Sequence, residues 1–208
     1  MVKQTMAVGV LASALVGGAV VMGIPSGEPA VARASEGAFS VDPVHSMVVF
    51  GVGHLGVAKN YGRFNDISGT FNIDRSNIEN AFIDITVQAE SVDTANESRD
   101  KHLRSPDFFN TRQFPTLTFT SDEITAMSRD LPPSHLRATG ELTMHGVTKD
   151  IEVEIHFIGE GQTPRGYKQG FEARFTIKRS DFGMTKYLEG NGIGDEVDLI
   201  VAIEGDRE

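Results

Sequence analysis

Residues able to do chemistry are scattered along this chain rather than gathered into a motif. Six histidines, His45, His54, His102, His135, His145 and His156, are the natural ligands for a transition metal. None forms the H-x-H or H-E-x-x-H spacing that presents two imidazoles on one face of an element. His54 and His145 stand out because glycine borders each in a turn, where hydrogen bonding within the turn is the ordinary role. His156 alternates with Glu152 and Glu154 on a polar strand face, where solvent exposure is expected. The chain has no cysteine, which excludes disulfides, thiolate metal sites and an N-terminal lipid anchor.

Gly51-Val52-Gly53-His54-Leu55-Gly56 spells the G-x-G-x-x-G of a dinucleotide loop, with Asp74 at the distance of a ribose ligand. That loop works by seating a pyrophosphate on a helix N-terminus, and here Lys59-Asn60-Tyr61-Gly62 and another strand follow, so the match is accidental. Asp181-Phe182-Gly183 spells the kinase D-F-G in a chain too small and too rich in strands for that fold. There is no G-x-S-x-G elbow, and no serine or carboxylate is marked by local pattern as a nucleophile or base. No catalytic residue, metal site or cofactor is assigned.

The elements that would position any site are strands. Ile151 to Phe157 is apolar at every odd position and polar at every even one; Phe171 to Lys178 does the same, Leu136 to His145 does so with opposite parity, and Val197-Asp198-Leu199 opens a further run. Such alternation marks antiparallel strands with one wet face. Reading from Phe39, Ser46 to Gly53, Arg63 to Ile73 with a parity break at Asp66-Ile67 that predicts a β-bulge, Ala81 to Ala89, and Thr116 to Thr120 add four and bring the total to about eight, the pattern of a sandwich or barrel. One short polar helix interrupts them. Thr94 to Glu97 has capping-box spacing, Glu97/Lys101 and Asp100/Arg104 are i,i+4 pairs, and Ser105-Pro106 stops the run. Only Leu103 and the following Phe108-Phe109 can hold that helix against the sheet, so it reads as a lid or plug. Arg129 to Ser134 and Gly159 to Gly170 read as exposed loops.

The 208 residues suit one domain, and the formal charge of −10 disfavours nucleic acid as a partner. Met6 to Ile24 carries no charge and leads to Ala32-Arg33-Ala34 before Ser35, the layout of a cleavable secretory signal over residues 1–34; a retained membrane anchor is the alternative. Removing it takes away Lys3, Arg33 and Glu28 and leaves 28 acidic and 17 basic residues, a net −11. The expectation is an exported, periplasmic domain over 35–208. A barrel of eight strands is near the size at which the interior is either filled by side chains or holds one small ligand, and the alternation fits both.

Several separate motifs in order give the chain a family resemblance. Phe39 to Ser46, His54 to Val57, Gly62-Arg63-Phe64, Ser68-Gly69-Thr70, Ser91 to Thr94, Arg99 to Phe109, Phe114 to Phe119, His145 to Lys149, Arg179 to Met184 and Ile193 to Val197 together resemble the YceI-like family. The resemblance implies an all-β, lipocalin-like antiparallel barrel with one short helix capping it. It also implies a non-enzymatic lipid-binding or carrier protein whose apolar pore holds a polyisoprenoid or a similar long amphiphile, such as an isoprenoid quinone or fatty amide. Dimers and transient membrane contact are further implications. With the apolar strand faces as the wall, the expected pore residues are Phe50, Ile85, Phe119, Leu142, Ile155, Phe157, Phe175 and Leu199, with Phe108, Phe109 and Tyr187 at the mouth. Two other readings stand beside this one: an exported hydrolase of a lipid-like ester, and a filled barrel serving as an interaction module in envelope stress.

Overall fold

Alternating apolar and polar residues force each strand to lay one face on a core. The computed structural model, which describes residues 37–127, 129 and 132–208, shows how those faces meet. In chain order the strands are β1 (Phe39–Val41), β2 (Met47–His54), β3 (Ala58–Phe64), β4 (Ile67–Asn72), β5 (Phe82–Gln88), β6 (Val92–Asp93), β7 (Thr116–Ala126), β8 (His135–Met144), β9 (Val147–Thr163), β10 (Gly166–Lys178) and β11 (Ile193–Arg207). The helix α1 (Glu97–Leu103) lies between β6 and β7. The leader, with its expected cleavage after Ala34, lies outside the described residues.

Strands β1, β4, β5, β7, β8, β9, β10 and β11 pair in that order, and β11 returns to β1, with Phe39 opposite Arg207. Every pair is antiparallel, so the result is the expected closed eight-stranded barrel. Beyond β1, the same edge of β11 pairs with β2 from Ala202 back to Ile193, so β1 and β2 act as one strand broken by the turn at Asp42–His45. Likewise β3 and β4 are one strand interrupted at Asn65-Asp66, so the irregularity expected as a β-bulge at Asp66-Ile67 is a strand interruption instead. The Ser91 hydroxyl accepts from both of those backbone amides at 3.1 Å.

The break at Asn65-Asp66 opens one end of the barrel. Only Arg63 and Phe64 of β3 find a second partner, in β6; Ala58–Gly62 has β2 on one side and no strand on the other among the described residues. The opposite end is solid. There Phe39 stacks on Phe71 with centroids 5.7 Å apart and Phe71 meets Phe171 edge-on at 5.1 Å, while Ile73, Leu136 and Ile155 fill the space around them at 1% exposure or less. At roughly 1.5–3 kcal/mol for each large apolar side chain buried, this plug contributes substantially to the barrel's stability.

Several expectations need correction. Gly159 to Gly170 is not a loop: β9 and β10 run on through it as a hairpin that turns at Thr163–Gly166, with Gln169 opposite Glu160. Strand β7 continues past Thr120 to Ala126, and β11 starts at Ile193 rather than Val197. The helix cap is Asn96, whose side chain accepts from the Arg99 amide at 3.0 Å, rather than Thr94. Asp100 turns from Arg104 to bind the Thr94 amide and hydroxyl, and Arg104 instead donates to the carbonyls of Glu90 and Val92 at 2.8 and 2.9 Å. Of the expected loop Arg129 to Ser134, the described part includes Pro132 and Pro133, whose carbonyls accept from the Arg75 guanidinium at 2.6 Å.

Candidate functional site

The gap beside β3 is roofed by α1 and the segment after it. Leu103, Phe108 and Phe109 face inward, and Phe109 meets Phe64 edge-on at 5.3 Å, while Phe64 in turn meets Phe50 at 5.7 Å. Gly62 makes room for this: a Cβ there would fall 2.3 Å from the Phe50 ring. The roof is tied down by polar contacts rather than by apolar burial, since α1 is polar almost throughout. Arg99 donates to the Thr94 hydroxyl and carbonyl at 2.7 and 2.8 Å, and buried Asp100 clamps the same threonine.

Under the roof is a cavity of about 720 Å³, within the range of small-molecule sites. Its rim carries His54, Asn60, Thr94, Ser98, Arg99 and His102, and no carboxylate among the described residues lines it. Its deeper wall is Phe50, Phe64, Leu117, Ile177, Val197 and Leu199. Phe64, Leu117 and Leu199 are also the ceiling of a second, inner chamber of about 90 Å³ at mid-barrel, and among the fifteen residues around it only Thr118 has a polar side chain. The inner chamber ends on Val153, Phe171 and Ala173, above the aromatic plug.

Of the expected pore residues, Phe50 and Leu199 line the outer cavity, and Ile85, Phe119, Leu142, Phe175 and again Leu199 line the inner one. Ile155 and Phe157 line neither. Ile155 is 1% exposed inside the filled end, and Phe157 is buried beneath the Arg75 guanidinium, 4.3 Å from its ring. Phe108 and Phe109 line the outer cavity near its rim, whereas Tyr187 is half exposed outside it, 6.1 Å from His102 and 6.5 Å from Phe108. His102 also contacts Asp107 at 3.0 Å, and that bond, with Lys186 beside it, holds the Asp107 carboxyl below the usual carboxylate range.

Two parts of the site carry no apolar signal. His145 and Gly146 both have positive φ, 53° and 74°, which is the two-residue turn that joins β8 and β9. The His145 ring meets the Phe182 carbonyl at 2.9 Å, so its role is turn and loop bonding rather than metal ligation. Arg179, 4% exposed, donates to the carbonyls of Gly194, Met184 and Ile193 at 2.7, 2.6 and 2.9 Å, fixing the loop that forms one wall of the mouth. Ser180 donates to Asp195 at 2.8 Å in the same loop. The motif Arg179 to Met184 was visible in the sequence, but an arginine that serves only backbone carbonyls has no periodicity by which to read its role. The G-x-G-x-x-G run is the end of β2 and its hairpin turn, with no helix behind it, and Asp74 caps its own turn through the amides of Ser76 and Asn77.

Among the described residues, Asp42, His45 and Glu204 come close enough to suggest a cation site. The cation is already present: the Lys168 ammonium lies 3.1 Å from Asp42, 3.3 Å from Glu204 and 2.7 Å from Asp206. The His45 bond and Lys168 hold the Asp42 carboxyl far below the ordinary range, and Asp206 with its neighbours raises the lysine.

The model of the YceI-like domain matches residues 39–205. Protein YceI of Escherichia coli O17:K52:H18 is 43% identical over 162 residues, 77% of this chain and 81% of that protein. Among solved structures, Burkholderia cenocepacia BcnA is similar with a TM-score of 0.70 at 22% identity, covering 79% of this chain and 98% of that one. A polyisoprenoid binding domain from Saccharophagus degradans is similar with a TM-score of 0.63 at 16% identity, covering 83% and 99%. At those two identities the likeness is one of fold. The match runs from the first residue of β1 into the last strand, so it takes in the whole closed ring, the His145-Gly146 turn and the Arg179 loop: the chain belongs to the YceI-like family.

Proposed function

We propose that this protein is a carrier that holds one long amphiphile, a polyisoprenoid or a comparable chain such as an isoprenoid quinone or fatty amide, without transforming it. The observation that carries the reading is the two-part cavity: a polar rim free of carboxylates above a chamber walled almost entirely by apolar side chains. A headgroup sits among His54, Asn60, Thr94 and Arg99, and the tail runs past Phe64, Leu117 and Leu199 toward Ala173. Each methylene removed from water contributes about 0.8 kcal/mol, so affinity comes from the tail and the rim need only orient the head. The fold shared with a domain named for polyisoprenoid binding supports the same class of ligand. The solid floor of Phe39, Phe71 and Phe171 sets the depth to which a tail can reach.

The uncharged run before Ala32-Arg33-Ala34 supports export, with the mature protein in the periplasm beginning at Ser35. The intact mass of protein recovered from its native envelope checks this; a membrane-embedded species that keeps residues 6–24 refutes it. Mass spectrometry of an organic extract of the purified protein tests the carrier reading. A bound chain of isoprenoid type, at one per barrel, is expected, and reloading the delipidated protein should raise its melting temperature because the ligand binds only the folded state. An extract without lipid, together with no thermal shift from polyprenols, quinones or fatty amides, overturns it.

A further inference from the structure

On the outside of the barrel, away from the cavity, register brings three metal-ligating side chains into one row. His135 of β8 is opposite His156 of β9, and His156 is opposite Glu172 of β10. All three point away from the core, because their strand neighbours Leu136, Ile155, Phe157 and Phe171 are buried in it. The Phe157 amide donates to the Ser134 carbonyl at 2.8 Å, which makes Ser134 and Phe157 the hydrogen-bonded pair. His135 and His156, one step along, are therefore a non-hydrogen-bonded pair, the geometry in which facing Cα atoms are only about 4.5 Å apart. Their rings lie 4.9 Å apart at 21°.

Both histidines are exposed, and the Ser134 hydroxyl, 3.2 Å from Nδ1 of His135, leaves Nε2 of that ring toward solvent. Two imidazoles held side by side by strand pairing have already lost the freedom that a chelating pair must otherwise give up. Glu172, opposite His156 across the sheet, accepts from Arg174 at 2.7 Å. Arg137 and Arg174 are the nearby cations. Both stand opposite Glu154 across the sheet, and Arg137 also meets Glu152 at 3.1 Å, so neither leaves the row positive.

We propose that His135 and His156 form a two-imidazole surface site for a divalent transition ion, of which Zn²⁺ is the probe, with solvent completing the coordination and Glu172 of the next strand supporting it by its charge. Sequence spacing hides the site: the two histidines come from different strands and become neighbours only through register. The site is separate from the cavity and does not depend on the carrier reading.

The test titrates the untagged chain with Zn²⁺, following the imidazole resonances by NMR and the heat of binding. One ion per chain is expected, with the His135 and His156 signals moving before those of His45, His54, His102 and His145, and with a higher melting temperature in the presence of Zn²⁺. His135→Gln or His156→Gln should weaken binding about tenfold or more, since each removes the partner held at high effective concentration. Glu172→Gln should have a smaller effect. The metal-free variants should melt with the parent protein, as all three side chains face outward. The proposal is overturned if stoichiometric Zn²⁺ leaves these two rings unmoved, or if His156→Gln binds it as tightly as the parent.

Discussion

Ala173 faces the inner chamber from β10 between Ile155 and Val201, and replacing it with leucine separates a ligand chamber from ordinary core. The chamber measures about 90 Å³. At ~24 cal/mol per Å³, leaving that space empty costs the unliganded protein about 2 kcal/mol. It holds about three methylene-sized groups if each takes the ~30 Å³ of a water in the liquid. The three carbons added by Ala173→Leu therefore match it. The same carbons displace about three methylenes of a bound tail, worth roughly 2.4 kcal/mol, or about 60-fold in Kd. The two effects have opposite signs. The unliganded variant should melt at or above the parent temperature, while its thermal shift with a polyprenol shrinks and retention of the lipid on extraction falls. A variant that melts lower and binds as tightly as the parent would refute the reasoning, since it would show an overpacked core at Ala173 and a tail lodged elsewhere.

Two further perturbations address the scaffold. Ile155→Asp places a carboxylate at a position 1% exposed in the apolar core and should cost several kcal/mol, whereas Glu154→Gln on the outer face should change stability by less than about 0.5 kcal/mol; comparable melting temperatures would overturn the assigned faces. Asp42 has its folded-state pKa pulled below the unfolded value of about 3.9, so its contribution to stability is present above that pH and is lost as pH falls through the lowered folded value. Asp42→Asn should accordingly flatten, though not abolish, the fall in melting temperature below about pH 4, because Asp93, Asp107, Asp195 and Asp198 are also lowered; an unchanged acid limb counts against the Lys168 cluster.

What was legible in the sequence follows from where apolar burial decides the conformation. Leu136, Ala138, Leu142 and Met144 on β8, and Val153, Ile155 and Phe157 on β9, all face inward as their alternation requires. The β9–β10 extension was illegible because Gly159, Gly161, Gly166 and Gly170 carry no face to bury. That hairpin is held by backbone pairing and by Gln169, which is 2% exposed and bonds Glu160 at 2.9 Å and both backbone groups of Ile73. The helix was legible, but its cap slid two residues because Thr94 is taken by Asp100, a tertiary choice that overrides local spacing. At the site, parity identified which side chains face inward. It could not tell Leu142, which borders open space, from Ile155, which does not, because both satisfy the same alternation and differ only in how the far wall packs.

The pairing of Phe39 with Arg207 sets an order of events in the making of this protein. Of the barrel strands, β1 is the first to be made, yet one of its two partners, β11, is the last of them. Until that strand appears, β1 and β10 present unpaired backbone, the kind of edge that recruits other chains. A ring joined by its own termini has high contact order and gains its final ladder only after the longest loop has closed, so it stays unclosed throughout synthesis. For a chain that we propose crosses a membrane before it folds, that delay is useful: the fold itself keeps the polypeptide threadable until its last strand has been delivered.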